Sequence, residues 1–136
     1  MTDDELMARA LEAKQRAYAP YSRFHVGSAV LAGGKLYSGA NVENASYGLA
    51  ICAERNAIMR AVLEGHRALD AIAVASDISP PAAPCGMCLQ TLAEFAPDPR
   101  ALRVILGNPR GDRRTHSLAE LLPHGFRPAD LPRTHD

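Results

Sequence analysis

The sequence has no surplus of charge of either sign: 15 basic side chains cancel 15 acidic ones over 136 residues. Without a dominant field it cannot hold a phosphate backbone or an anionic membrane surface by bulk charge, so neither nucleic acid nor membrane is expected as a partner. It also lacks any apolar run near the roughly 20 residues needed to cross a bilayer. The opening stretch, "MTDDELMARA", is acidic and amphipathic where a secretory signal would be basic and then apolar. A cytoplasmic location is therefore expected, where the "NAS" sequon at 44–46 carries no meaning. Cysteine is scarce, at three residues, and an odd count cannot all pair within one chain. In a reducing compartment such cysteines point to metal binding, catalysis or simple burial. Internal repeats, low-complexity tracts and linkers are missing too.

What remains is globular in character: 47% apolar and 22% charged residues, enough for one domain over 1–136. "TDDE" opens a helix with a capping box between Thr2 and Glu5, and Leu6, Met7, Ala10, Leu11, Lys14 and Ala17 follow a helical stripe. Pro20 forces its end. A strand is expected over 24–32, a turn at Gly33–Gly34, and an antiparallel return over 35–43. A helix follows over 52–65, with Ala57, Ile58, Ala61 and Val62 on one face and Gly65 as its cap. The apolar runs 71–76 and 102–107 read as strands covered on both faces. Pro84 starts a helix between them, "SLAE" at 117–120 caps a short one that stops at Pro123, and 127–136 reads as a loosely ordered tail. The order α-β-β-α-β-α-β-α implies an α/β layered fold, its sheet mixed because the first strands form a hairpin.

Chemistry gathers at the two middle helices. Cys85 and Cys88, in "PCGMC", stand three apart on a first helical turn and so share a face. Unpaired N–H groups and the helix dipole favour thiolates there, the form that binds metal. Cys52 holds the same kind of position in "CAER". If the two helix starts converge, three thiolates surround one ion and leave a fourth position open, as catalytic zinc sites do. Glu54, two residues past Cys52, would reach that position without ligating. Each residue alone has a blander reading: a buried thiol, a redox pair, a solvated glutamate. Together, C-x-E and P-C-x-x-C form the signature of zinc nucleobase deaminases. A closed structural zinc site needs a fourth ligand, and His25 and His116 lack suggestive spacing.

The chain resembles the small homotetrameric cytidine deaminases over nearly its whole length, through "AYAPYSRFHVGSAVL", "GANVENASYG", "CAERNAI", "PCGMCLQ" and "LLPHGF" in matching order and spacing. The resemblance implies a three-layer α/β/α sandwich with a mixed five-stranded sheet. It implies one zinc per subunit on Cys52, Cys85 and Cys88, with Glu54 as general acid and base. Asn41 and Glu43 should hold the ribose 3′-hydroxyl, and Phe24 should line the pocket near the base. Ala45 and Tyr47 should complete a neighbouring subunit's site, and Phe126 should stack on a pyrimidine across an interface. Residue chemistry suits these roles: a carboxylate and an amide can answer a hydroxyl that both donates and accepts, and aromatic faces suit a planar base. Without the resemblance, Asn41 reads as a turn residue, Phe24 as core and Phe126 as an anchor.

The implied activity is hydrolysis of cytidine and 2′-deoxycytidine to uridine and 2′-deoxyuridine with release of ammonia, a step of pyrimidine salvage. The Ala53 N–H at a helix start is placed to bind a developing oxyanion. One departure stands out: many relatives carry Arg directly after the second cysteine of C-x-x-C, where this chain has Leu89. Arg55 remains to offset the thiolates' negative charge, and a less acidic metal-site water or an altered substrate preference is expected. Rival readings are a deaminase of a modified cytosine nucleoside or nucleoside antibiotic, and a non-catalytic zinc or redox module.

Overall fold

The computed structural model describes residues 1–132. Five strands form one sheet in the order β2-β1-β3-β4-β5. They are β1 (Gly27–Ala32), β2 (Lys35–Ala40), β3 (Ala71–Ala75), β4 (Arg103–Gly107) and β5 (Arg113–Ser117). β3 and β4 run parallel, and the other neighbours are antiparallel. Helices α1 (Asp3–Lys14), α2 (Ala53–Leu63), α3 (Gly86–Glu94) and α4 (Leu118–Leu121) cover the sheet.

The period of two along β3 sorts the layers. Ala71, Ala73 and Ala75 pack with Leu6, Met7 and Ala10 of α1. Ile72 and Val74 face the larger core built on Ala57, Ile58 and Ala61 of α2 and Leu89 and Leu92 of α3. Small residues let α1 lie close to the sheet: a Cβ on Gly27 would stand 2.0 Å from the Ala10 carbonyl oxygen. The result is a three-layer α/β/α arrangement. Among the described residues, no helix is long and apolar enough to cross a membrane.

Patterning locates four of the strands and misses β5. Its residues, Arg-Arg-Thr-His-Ser, are exposed or half-buried throughout and carry no apolar alternation. Charged side chains are what a solvent-facing edge strand uses to discourage pairing with other chains. Helix α1 stops at Lys14, before the Pro20 signal, because the following chain turns to pair with the segment after β2. The Tyr18 N–H donates to the Asn41 carbonyl at 2.9 Å, and the Glu43 N–H to the Tyr18 carbonyl at 2.8 Å. The same pairing ends β2 at Ala40, short of the expected 43. Thr2 caps α1 by accepting from the Glu5 N–H at 3.1 Å, and Ser117 and Glu120 form a complete capping box on α4. In the stretch expected to be a loose tail, Pro128–Asp130 form a 3-10 turn, with the Arg127 N–H donating to the Asp130 carboxylate at 2.8 Å. Residues 133–136 of that tail lie outside the described residues.

Candidate metal centre and adjoining cavity

Helices α2 and α3 both begin at one edge of the larger core, and each is preceded by a cysteine. Cys52 is the N-cap of α2 and Cys85 the N-cap of α3; neither sulfur caps its own helix. Cys88 is buried on the first turn of α3. The three sulfurs lie within 4.8 Å of one another, with Cys52 Sγ 3.8 Å from Cys85 Sγ and Cys85 Sγ 3.5 Å from Cys88 Sγ. Tetrahedral zinc with bonds of about 2.3 Å sets its sulfur ligands about 3.8 Å apart, so the trio fits that ion as it stands. No histidine joins the group among the described residues, which leaves His25 and His116 outside it and the fourth position uncommitted.

The thiols are electrostatically unlike. The neighbouring Cys88 thiol lowers Cys52 to about 5, with further help from Arg55. The same neighbourhood, with burial behind it, raises Cys88. Thiolates gathered here would need positive charge beside them. Arg55 supplies some: its Nη2 lies 3.7 Å from Cys52 Sγ and 3.5 Å from the Ala50 carbonyl oxygen. Its Nε is buried with no hydrogen-bond partner among the described residues. Leu89, 8% exposed, packs into the core between α2 and α3, so the cation beside the sulfurs is Arg55.

Glu54 is 5% exposed on the first turn of α2. Burial, reinforced by the Cys52 charge, raises its carboxyl to about 7. A carboxyl near neutrality accepts and releases protons equally readily, which suits an acid–base catalyst. It opens onto a cavity of about 200 Å³ that Phe24, Asn41, Cys52, Ala53 and Cys85 also line. Ala53 is the first residue of α2, where the helix leaves N–H groups unused.

The structure divides "NVEN" between two cavities. The Asn41 amide braces the wall of the first, its Oδ1 accepting from the Val26 N–H at 2.9 Å and its Nδ2 donating to the Phe24 carbonyl at 2.7 Å. One amide hydrogen and one lone pair are left for a ligand. Glu43 lines a neighbouring cavity of about 340 Å³ with Tyr21, Ser22 and Tyr47. Its Oε1 accepts from the Tyr21 and Ser22 N–H groups at 3.0 and 3.1 Å, and its Oε2 accepts from the Ser22 hydroxyl. The Ser22 hydroxyl holds its carboxyl below the usual range.

Ala45, Tyr47 and Phe126 do not reach the first cavity. Ala45 is exposed, Tyr47 begins an exposed 3-10 turn and packs edge-on against Tyr21 at 6.3 Å, and Phe126 is 55% exposed. The Phe126 backbone is tied to α3 by Gln90 Nε2, which donates to its carbonyl at 2.6 Å. Sequence reasoning missed the remaining wall: Val26, Val74, Ser76, Ala82 and Ala83. A signal existed for Ser76, which follows the carboxyl end of a central strand, where α/β sheets place ligands.

Comparison with known proteins bears on this geometry. Residues 1–103 match the family model of the cytidine and deoxycytidylate deaminase zinc-binding region, a span that contains all three cysteines and Glu54. The chain is 47% identical over 127 residues to a cytidine deaminase of Halalkalibacterium halodurans, covering 93% of this chain and 95% of that one. It is 42% identical over 132 residues to a cytidine deaminase of Sporosarcina psychrophila, covering 96% of each. The crystal structure of a Burkholderia pseudomallei cytidine deaminase superposes with a TM-score of 0.87 at 46% identity, over 93% of this chain and 100% of that one.

Proposed function

Because the chain belongs to the cytidine and deoxycytidylate deaminase family, we propose that Cys52, Cys85, Cys88 and Glu54 are the residues that perform its reaction. That reaction is the zinc-dependent hydrolytic deamination of cytidine. The single observation that carries the residue assignment is the buried Glu54 carboxyl at the mouth of three converging sulfurs.

Cys52, Cys85 and Cys88 would hold the zinc, which would supply Lewis-acid activation of the attacking water. Glu54 does the proton work. It takes a proton from the attacking water and delivers it to N3 of the cytosine ring, which makes C4 more electrophilic. The water oxygen bonds to C4; Glu54 then carries the proton of the new C4 hydroxyl to the 4-amino group, the C4–N4 bond breaks as the C4 carbonyl forms, and ammonia leaves, giving uridine. The Ala53 N–H binds charge developing on the ring face of the cavity. Phe24 lies against the base, and the free capacity of Asn41 meets the ribose. Glu43, in the adjoining cavity, reads the sugar from the open side.

The substrate class is the pyrimidine nucleoside, ribose or deoxyribose, and the enzyme works in the cytoplasm as part of pyrimidine salvage. The exposed Ala45, Tyr47 and Phe126 support a homotetramer in which each completes a neighbour's site. The direct test is loss of cytidine ultraviolet absorbance on addition of pure protein, with free cytosine and a cytosine-bearing antibiotic such as blasticidin S as comparisons. Rapid loss for the nucleoside alone is expected; turnover of the antibiotic in preference to cytidine would overturn the assignment.

Arg55 offsets the thiolate charge. Arg55→Gln is expected to keep zinc near one per chain and to lower kcat by about 10- to 100-fold. Steady-state kinetics beside a zinc assay checks this, and unchanged kcat would remove the role.

A further inference from the structure

We propose that the loop joining β4 to β5, Asn108–Asp112, is a positioning device for the substrate cavity; the inference rests on reading that cavity as the nucleoside site. The segment from β3 to α3 supplies much of the cavity wall: Ser76 at its start, Ala82 and Ala83 in its second half, and Cys85 at its end. Nothing within the segment secures that second half. Among the described residues no hydrogen bond engages 80–84, and Pro80, Pro81 and Pro84 offer no N–H to engage.

The β4–β5 loop grips the first half instead. Asn108 is a polar side chain only 2% exposed, and its amide is fully used. Oδ1 accepts from the Arg110 and Asp112 N–H groups at 3.0 and 3.2 Å, which shapes the loop itself. Nδ2 donates across to the Ile78 carbonyl at 3.1 Å and to Asp112 Oδ2 at 2.8 Å. The same Asp112 oxygen accepts from the Ser79 hydroxyl at 3.0 Å, and Arg110 Nη2 donates to the Asp77 carbonyl at 2.8 Å. Three consecutive residues, 77 to 79, are thus held by one loop. From the other side, Lys14 at the end of α1 pairs with Asp77 at 2.9 Å.

Prolines turn this grip into a cavity function. Their fixed φ angles make 80–84 stiff, so the placement of Ala82 and Ala83 follows the placement of Ser79. Loosening Asn108 lets the wall that faces the base drift, while Cys52 and Glu54, carried by α2, stay where they are. Substrate binding suffers more than chemistry.

The test uses full-length, zinc-loaded protein. Asn108→Ala is expected to raise KM for cytidine about tenfold and the calorimetric Kd for uridine by the same factor, with kcat within about threefold and zinc at one per chain. Ser79→Ala and Asp112→Ala remove two ends of one bond, so their effects on KM should not add in the double variant. Arg103→Ala breaks an ion pair with Asp3 away from the cavity and is expected to lower stability with KM unchanged. If Asn108→Ala fails to fold, Arg110→Ala, which removes an exposed guanidinium, is expected to raise KM about threefold. The role is overturned if folded Asn108→Ala, or Arg110→Ala in its place, keeps wild-type KM and Kd, or if Arg103→Ala shifts KM as much. Wild-type protein that neither deaminates cytidine nor binds uridine overturns the reading of the site as well; an active wild type with an unaffected variant overturns only the loop's role.

Discussion

Glu54→Gln is expected to retain fold and zinc and to lose about four orders of magnitude in kcat. The amide matches the carboxyl in size, so the cavity wall and the first turn of α2 keep their packing. Burial already disfavours the charged form of this group, raising it to about 7. A neutral amide therefore removes a burdensome charge from the interior and leaves no new one. What it cannot do is accept a proton. In the proposed reaction Glu54 serves both halves, first as base toward water and then as acid toward N3 and the leaving amine, so loss of both uses multiplies. The measurement is single-turnover kinetics with cytidine, beside zinc content and calorimetric uridine binding. Wild-type zinc and uridine affinity with absent turnover supports the role; kcat within about tenfold of wild type would end it.

How far the sequence foretells such a site depends on the range of the interaction. The cysteine positions were legible because their chemistry is local: an N-cap cysteine and one three residues on need only a helix start to share a face. That the starts of α2 and α3 converge follows from both helices covering the same face of one sheet, and the nearly continuous apolar run "AIAVAS" already implies a strand with two covered faces. The fold class was therefore readable, while β5 was not. An edge strand owes its existence to pairing with Leu106 and its neighbours on β4, and no feature of Arg-Arg-Thr-His-Ser announces that partner. Leu89, the residue after Cys88, is buried in the core, a placement that the motif alone does not give. Asn108 is the converse case. No motif assigns it a role, and only the fold brings its amide to Ile78, 30 residues away.

Cys88→Ser should lose zinc and activity together. Cys88 is the one fully buried member of the trio, so no water or stray side chain can enter to replace its sulfur. A serine hydroxyl fills nearly the same space but remains protonated near neutral pH, and zinc prefers the soft thiolate. With two thiolates left, on Cys52 and Cys85, metal content is expected to fall from about one per chain to below about a tenth, and turnover with it. The structural consequence separates this from a simple catalytic defect. Zinc on the three sulfurs would join the starts of α2 and α3, and an ion bound only by the folded state stabilises it by mass action. A chelator should therefore lower the wild-type Tm by about 10 °C and leave the already metal-free Cys88→Ser unchanged. Leu89 and Leu92 still bury α3 against the core, so the variant should keep its native circular dichroism at 25 °C. A folded Cys88→Ser protein carrying one zinc per chain, with a Tm that responds to chelator as the wild type does, would show that the ion is held elsewhere.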